Sequence, residues 1–132
     1  MTGIKLTDTE KRAVAGEFLA GLKTRDWDRL RGIMTDDITW TMPGSSLISG
    51  EAQGVEAVLA RSRQIVGYEL DFALNHILIG QSHVALSLHN TATRSGLTLD
   101  EYLATVCFLR DGKIAAIHTF LSDIDGMNAF FV

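Results

Sequence analysis

The sequence predicts an α+β fold in which three helices pack on one face of a curved antiparallel sheet. Two observations lead to this class. Apolar residues recur at helical spacing up to Gly67, and from Tyr68 onward they recur with the period of two that strands show. Helices gathered first and long strands gathered last are typical of an α+β arrangement, and such a sheet can curl around a pocket. The 132 residues suit a single domain spanning 1–132.

Three helices are predicted in the first half of the chain. The first begins at a capping box in residues 7–10, where Thr7 and Glu10 side chains accept hydrogen bonds from backbone N–H groups. Asp26 is the expected cap of a short second helix. An apolar stripe over residues 55–66 predicts the third, which stops at Gly67 because glycine is favoured just past a helix end.

Five strands are predicted. Residues 38–42 alternate large apolar side chains with threonine and meet the chain's only proline, so they form a strand that ends in a turn. The other four strands form an antiparallel meander, near residues 68–79, 82–94, 98–110 and 113–122. Tight turns separate them at the dipeptides Gly80-Gln81, Ser95-Gly96 and Asp111-Gly112.

One strand of this meander is apolar on both faces. Its two sets of side chains are Leu103, Cys107 and Leu109 on one face and Tyr102, Ala104, Val106 and Phe108 on the other. A strand of this kind needs cover on both faces, and a chain of this size has helices for only one. We therefore expect a homodimer through the outer sheet face.

Charge and cysteine content exclude several classes of protein. The net charge is −4 and the twelve Lys and Arg residues are scattered, whereas nucleic-acid binding needs clustered positive charge. Cys107 is the only cysteine, so no intramolecular disulfide forms, and no apolar run reaches the length of a membrane span. We expect a cytoplasmic protein with neither a nucleic-acid nor a membrane partner.

Motifs for metals and cofactors are absent from the sequence. The four histidines lack the spacing of metal ligands, and no cysteine cluster accompanies them. Neither a phosphate-binding loop nor a dinucleotide-binding glycine motif occurs. The sequence therefore predicts no metal and no cofactor.

Several segments, in order along the chain, resemble one known family. They are Asp26-Trp27-Asp28 after the first helix, then "MTDDITWTMPG", "GVEAV" and "RDGKIAAIHTFLSD". Together they resemble the nuclear-transport-factor-2-like superfamily and, within it, the SnoaL-like polyketide cyclases and ketosteroid isomerases. The resemblance covers nearly the whole chain and implies a cone-shaped fold, with an apolar pocket between three helices and the curved sheet, in a protein that commonly dimerises. It implies no particular activity, because one fold hosts many chemistries.

Resemblance to the ketosteroid isomerases implies three functional positions. Two hold hydrogen-bond donors for an oxyanion, and the third holds the aspartate that moves the proton. They fall here on Phe18, on about Ala104 and on Met42, none of which can do this work. The standard isomerase mechanism is therefore not expected, and the Arg-X-Asp pair of the epoxide-hydrolase branch is missing too.

The resemblance places Phe18, Trp40 and Met42 in the pocket. An aromatic, apolar wall suits a flat hydrophobic ligand, although such residues are as often simply core. Asn90 follows Val84, Leu86 and Leu88 at two-residue steps, so its amide shares their buried face. It contacts either a ligand carbonyl or, as a strand-end amide, backbone or water.

Two further residues are candidates for the pocket. Tyr102 shares a face with Ala104 and either offers its hydroxyl to the pocket or lies at the rim. His76 shares a face with Phe72 and Leu74 and is either a pocket residue or a satisfied core or rim group.

Asp123 and His118 are the candidates for acid–base catalysis. In the cyclases that the chain resembles, a carboxylate from this region serves as acid or base, and imidazole suits proton transfer near neutral pH. The two residues are five apart, so an unbroken strand turns them to opposite faces, and Asp123 is alternatively a capping carboxylate. The sequence thus favours a cofactor-free isomerase, cyclase or dehydratase acting on an apolar ring-containing molecule, with a non-catalytic ligand-binding or dimerisation module as the alternative.

Overall fold

The computed structural model describes residues 5–132 as four helices and six strands. The helices are α1 (Asp8–Thr24), α2 (Trp27–Gly32), α3 (Val55–Gly67) and α4 (Ile124–Phe130). The strands are β1 (Met34–Met42), β2 (Gly50–Gln53), β3 (Asp71–Ile79), β4 (His83–Arg94), β5 (Leu97–Arg110) and β6 (Lys113–Leu121). They form one sheet in the order β2-β1-β6-β5-β4-β3.

The predicted helix starts are confirmed. At the beginning of α1, the Glu10 N–H donates to Thr7 Oγ1 over 3.1 Å and the Thr7 N–H donates to Glu10 Oε1 over 3.0 Å. Asp26 caps α2 by accepting the Arg29 N–H over 3.1 Å. The two helices then pack closely, because a Cβ atom on Gly21 would lie 2.7 Å from the Leu30 side chain.

The predicted meander is confirmed, with β3, β4, β5 and β6 as antiparallel neighbours. Ser95-Gly96 and Asp111-Gly112 both adopt positive φ at the two turn positions, the geometry that suits a two-residue hairpin loop. The sheet as a whole is mixed rather than antiparallel, because β1 pairs with β6 in parallel. A parallel pair needs a long crossover, and the chain between β1 and β6 supplies it.

Two elements and two boundaries differ from the sequence prediction. The edge strand β2 and the C-terminal helix α4 were not predicted. β1 begins at Met34 rather than at residue 38, and β3 begins at Asp71 rather than at residue 68. Asp36 and Asp37 lie inside β1 as exposed residues, so their charge does not interrupt the strand.

The sheet has an inner face against the helices and an outer face without them. Val84, Leu86 and Leu88 of β4 are buried on the inner face, together with Ile114 and Ile117 of β6. The alternate side chains of these strands and of β5 form the outer face, where Tyr102 of β5 and Phe120 of β6 are more than half exposed. No helix in residues 5–132 has the length and apolar character needed to cross a membrane.

β5 turns inward the face of Leu103 and Cys107, and not the face of Tyr102 and Ala104, which were the pocket candidates. Arg94 pairs with Leu97 across the Ser95-Gly96 turn, and the unbroken register places Asn90 opposite Glu101. Residues directly opposite in a ladder share a face, so Glu101 faces inward with Asn90. The inward side chains of β5 are therefore Leu99, Glu101, Leu103, Thr105 and Cys107.

Candidate functional site

A cavity lies between the helices and the inner face of the sheet. Its volume is about 40 Å³, counted as the space open to the centre of a water-sized sphere. One water needs roughly 10–15 Å³ on this measure, so the cavity has room for about three waters or one small ring. Only three lining residues are polar: Asn90, Thr105 and Thr119. The others are Phe18, Leu22, Trp40, Met42, Ile48, Ile65, Leu70, Phe72, Leu88, Leu103, Met127 and Phe131.

Trp40 is held firmly in the wall of this cavity. Its ring meets Phe18 of α1 edge to face, with 5.9 Å between ring centroids. Arg61 of α3 donates to the Trp40 carbonyl over 2.7 Å and to the Ser49 carbonyl over 3.1 Å. Burial lowers the pKa of the Arg61 guanidinium. This buried arginine fixes α3 to β1 and so fixes the position of the indole.

A short chain of hydrogen bonds crosses the cavity floor. Trp40 Nε1 donates to Thr119 Oγ1 over 3.0 Å, and the hydroxyls of Thr119 and Thr105 share a bond of 3.2 Å. The two threonines hold two hydroxyl protons, and the bond between them uses one. Neither hydroxyl has another acceptor within residues 5–132, so one proton remains for a group in the cavity.

Asn90 and Glu101 form a second polar region, farther along β4 and β5. Both are buried, with 5% and 1% of their surface exposed. Asn90 Oδ1 and Glu101 Oε2 have no hydrogen-bond partner in the described part of the chain. Buried polar atoms without a partner are uncommon, and each calls for an explanation.

The other Glu101 oxygen is fully engaged. Oε1 accepts the Asp123 N–H over 2.7 Å and the Ser122 hydroxyl over 3.3 Å. Burial raises the pKa of the Glu101 carboxyl, against these two bonds, which lower it. No described basic side chain forms an ion pair with it. Glu101 therefore ties the cavity's sheet to the junction between β6 and α4.

α4 and the loop after Pro43 close one end of the cavity. Asn128 Oδ1 accepts the Ser45 N–H over 2.8 Å, and the Leu47 N–H donates to the Phe131 carbonyl over 3.3 Å. From these two segments Ile48, Met127 and Phe131 reach the lining. The cavity is thus enclosed by an element that the sequence prediction lacked.

Four of the residues proposed from the sequence line the cavity. They are Phe18, Trp40, Met42 and Asn90. All four are buried, and Asn90 alone among them brings to the lining a polar group that has no hydrogen-bond partner in the described residues.

Three other pocket candidates do not line it, and their predicted placement was wrong. Tyr102 and Ala104 belong to the outer face, because β5 is apolar on both sides and its alternation cannot select the inner one. Tyr102 stacks instead on His89, with 4.2 Å between ring centroids. His76 is exposed, since a bulge between Leu74 and His76 reverses the alternation and pairs His76 with Ser87 of the outer face.

The two catalytic candidates also lie outside the cavity. Asp123 is exposed and caps α4, where its Oδ1 accepts the Gly126 N–H over 2.9 Å. His118 pairs with Val106 on the outer face and meets the Phe108 ring at 5.2 Å. The capping alternative for Asp123 fits this position, and the structure does not bring the two side chains together.

Sequence reasoning missed Glu101, Thr105, Thr119 and the residues of α4. The burial of Glu101 could have been predicted from the turn at Ser95-Gly96. A two-residue loop fixes the register of its two strands, and this register pairs Glu101 with Asn90. Asp123 followed by Met127, Phe130 and Phe131 carried the signal for a capped, one-sided helix. Cys107 is a structural residue: it is fully buried, and burial raises the pKa of its thiol to about 12.

Solved structures with the same fold have low sequence identity to the chain. Bal32a, from a soil-derived mobile gene cassette, is 23% identical, with TM-score 0.88 over 94% of this chain and 98% of that one. An NTF2-like protein from Burkholderia xenovorans LB400 is 16% identical, with TM-score 0.83 over 96% and 98%. A putative SnoaL-like polyketide cyclase from Jannaschia sp. CCS1 is 15% identical, with TM-score 0.78 over 98% and 99%.

Other structures that share the fold are described as a cystatin-like protein, an LEH-like epoxide hydrolase and a putative ketosteroid isomerase. At these identities the likeness establishes the fold alone. No curated protein is similar enough in sequence to match the chain. The model of the SnoaL-like domain matches residues 15–117, which is most of the chain and includes twelve of the fifteen residues that line the cavity. The predicted resemblance is confirmed: the chain belongs to the SnoaL-like domain family.

Proposed function

We propose that this protein binds a small, uncharged and largely apolar molecule, of about the size of one ring, in the cavity beside Trp40. The observation that carries the proposal is the lining itself, which is apolar except for one amide and two hydroxyls. Apolar walls supply affinity through buried area, and a few polar groups set the orientation. The spare hydroxyl proton of Thr105 and Thr119 is one such group.

The ligand is uncharged for a physical reason. No Asp, Glu, Lys, Arg or His is among the lining residues, so an ion in the cavity would lose its water without gaining a partner. A four-ring molecule also exceeds the space, which agrees with the loss of the isomerase groups at Phe18 and Met42.

The test uses toluene as a neutral ring and benzoate as its charged counterpart, with binding followed by NMR shifts of the Trp40 indole N–H. We expect saturable binding of toluene and none of benzoate. Leu88→Phe, which fills the cavity, should weaken toluene binding at least tenfold. The matched control Leu78→Phe, at a residue that is 58% exposed on β3, should leave it unchanged. Equal binding by both variants, or none by the wild type, would contradict the proposal.

A second candidate function is a cofactor-free isomerase, cyclase or dehydratase. It is favoured by Glu101, a buried carboxyl with raised pKa next to the lining residue Asn90. Replacing Glu101 by Gln keeps the shape and removes the acid. A turnover that falls at least a hundredfold, with binding retained, would support catalysis. Unchanged turnover would contradict a catalytic role for Glu101 and leave ligand binding as the only proposed function of the cavity.

We also propose that the protein is a homodimer through the outer sheet face. Tyr102 and Phe120 expose more than half of their surface there, and no described helix covers them. Val106 and Phe108 extend the apolar area between these two residues and His83. A second copy presents the same apolar face and is the simplest cover for it.

A further inference from the structure

Asn90 and Glu101 each have one buried side-chain oxygen without a hydrogen-bond partner in the described residues. The unpartnered atoms are Asn90 Oδ1 and Glu101 Oε2, and in an ionised Glu101 both are acceptors. The two residues are direct partners in the β4–β5 ladder, so their Cβ atoms are roughly 5 Å apart on the same face. One proton on Oε2 would satisfy both atoms at once.

The alternative is an Asn90 amide turned the other way. Its nitrogen would then donate to an ionised Glu101, and its oxygen would face the cavity. This arrangement keeps a negative charge at a residue that is 1% exposed, with no basic partner in the described chain. The nearest acidic neighbour, Asp123, adds repulsion. The surroundings therefore favour the neutral acid.

We propose that Glu101 is a neutral carboxylic acid that donates to Asn90 Oδ1 and thereby presents the Asn90 NH₂ group to the cavity, as the recognition site for a ligand carbonyl oxygen. Glu101 acts here as a positioning residue, since it is not part of the lining. The inference rests on the proposed binding function and deepens it. It names the ligand as a small neutral carbonyl compound, such as a cyclic ketone.

The chemistry of the partners supports a carbonyl. Asn90 lines the cavity, and its amide nitrogen forms no hydrogen bond with any residue that the structure describes. An NH₂ group donates only, so an apolar ligand that bears an acceptor satisfies it, whereas a hydrocarbon leaves it unpaired. The spare threonine hydroxyl is a second donor in the same cavity.

The first arm of the experiment reads the proton directly in the ligand-free protein. Carboxyl-carbon NMR of ¹³C-glutamate-labelled protein identifies Glu101 by the signal that Glu101→Gln removes. At about pH 6, where exposed glutamates are ionised, we expect the Glu101 carbon to resonate as a neutral acid. An ionised Glu101 at that pH would overturn the inference.

The second arm compares cyclohexanone with methylenecyclohexane, which has nearly the same shape and no acceptor. We expect the wild type to prefer cyclohexanone by about threefold to tenfold, the range of one neutral hydrogen bond. Glu101→Gln should keep the preference, because its amide nitrogen can donate to Asn90 as the neutral acid does. Asn90→Leu should lower the preference to what the threonine hydroxyl alone supplies.

The pH profile separates positioning from a general structural role. Above the pKa of Glu101 the preference of the wild type for cyclohexanone should fall to that of Asn90→Leu, and the preference of Glu101→Gln should not change. Equal affinity for the two probes at low pH would overturn the inference and leave the proposed function standing. Binding of neither probe would overturn both.

Discussion

Single hydrogen-bonding groups decide what the cavity can recognise. Trp40 donates its indole N–H to Thr119, so this N–H is already hydrogen-bonded within the protein. The indole therefore contributes an apolar surface to the cavity and no free donor. The groups left over are one threonine hydroxyl and the Asn90 amide. Both lie in an otherwise apolar surface, where a hydrogen bond is stronger than in water.

Stability should respond to pH through Glu101 in the direction opposite to an ordinary paired carboxylate. Its folded pKa is raised above the usual 4.5, so the folded state holds the proton more tightly than the unfolded chain. Its contribution is therefore complete below about pH 4.5 and is lost as pH rises through the folded pKa.

Urea unfolding of the wild type and Glu101→Gln, repeated at increasing pH, isolates this effect. As pH rises from about 4.5 through the folded pKa of Glu101, the wild type should lose stability relative to the variant. A difference that stays constant with pH would show that the Glu101 pKa is unshifted.

Alternation identified Asn90 as buried because β4 has one clearly apolar face. It could not orient β5, where Tyr102 and Leu103 are both apolar enough to be inside. The register across Ser95-Gly96 resolves the choice, since it pairs Glu101 with an asparagine already placed inside. The orientation of β5 was predicted wrongly because it was inferred from the pattern of β5 alone, without its pairing to β4.

At the scale of elements, α4 decides whether the cavity is closed. It has only seven residues, so its stability comes from its cap and its packing rather than from its own backbone bonds. Asp123 supplies the cap, and Met127 and Phe130 supply the buried side. The carboxylate first considered for catalysis therefore has a structural task.

Replacing Asp123 by Ala should destabilise the protein by about 1 kcal/mol, because the Gly126 N–H loses its acceptor. Asp123→Asn should cost little, since asparagine caps as well as aspartate does. The matched control is Asp125→Ala, an exposed change in the same turn that leaves the cap intact. Urea denaturation measures all three. A loss for Asp123→Asn as large as that for Asp123→Ala would mean that the charge, and not the cap, is what matters.

The helices and the meander were predictable from local signals. Capping boxes, glycine ends and two-residue turns depend on residues that are neighbours in sequence. The bulge in β3 and the parallel pairing of β1 with β6 depend on distant parts of the chain. The bulge turns His76 to the outer face, and the parallel pairing makes the sheet mixed. Neither feature is predicted by a local sequence pattern.

At the scale of the whole molecule, the two faces of the sheet differ sharply. The inner face is covered by helices, whereas the outer face carries the four histidines together with Tyr102, Phe108 and Phe120. His89 already pairs with Asp100 there, at 2.6 Å. Most of the remaining outer side chains between these rings are small or apolar.

Sedimentation equilibrium tests the proposed dimer. Phe120→Glu places a charge in the middle of the outer face and should give a monomer, since burying an unpaired charge is costly. Leu47→Glu is the matched control: Leu47 is 59% exposed against 60% for Phe120, but it lies in the loop beside α4. It should leave the dimer intact. A monomeric wild type, or dissociation of both variants alike, would contradict the proposal.

Glu101 joins two parts of the protein with one carboxyl group. Its Oε1 accepts the backbone N–H of Asp123 at the start of α4, and its other oxygen is the donor in the hydrogen bond proposed with Asn90. In the proposed binding function, occupancy of the cavity and docking of α4 are therefore thermodynamically linked, and the linkage is reciprocal. The factor by which a bound ligand shifts the docking equilibrium of α4 equals the factor by which docking of α4 raises the affinity for that ligand.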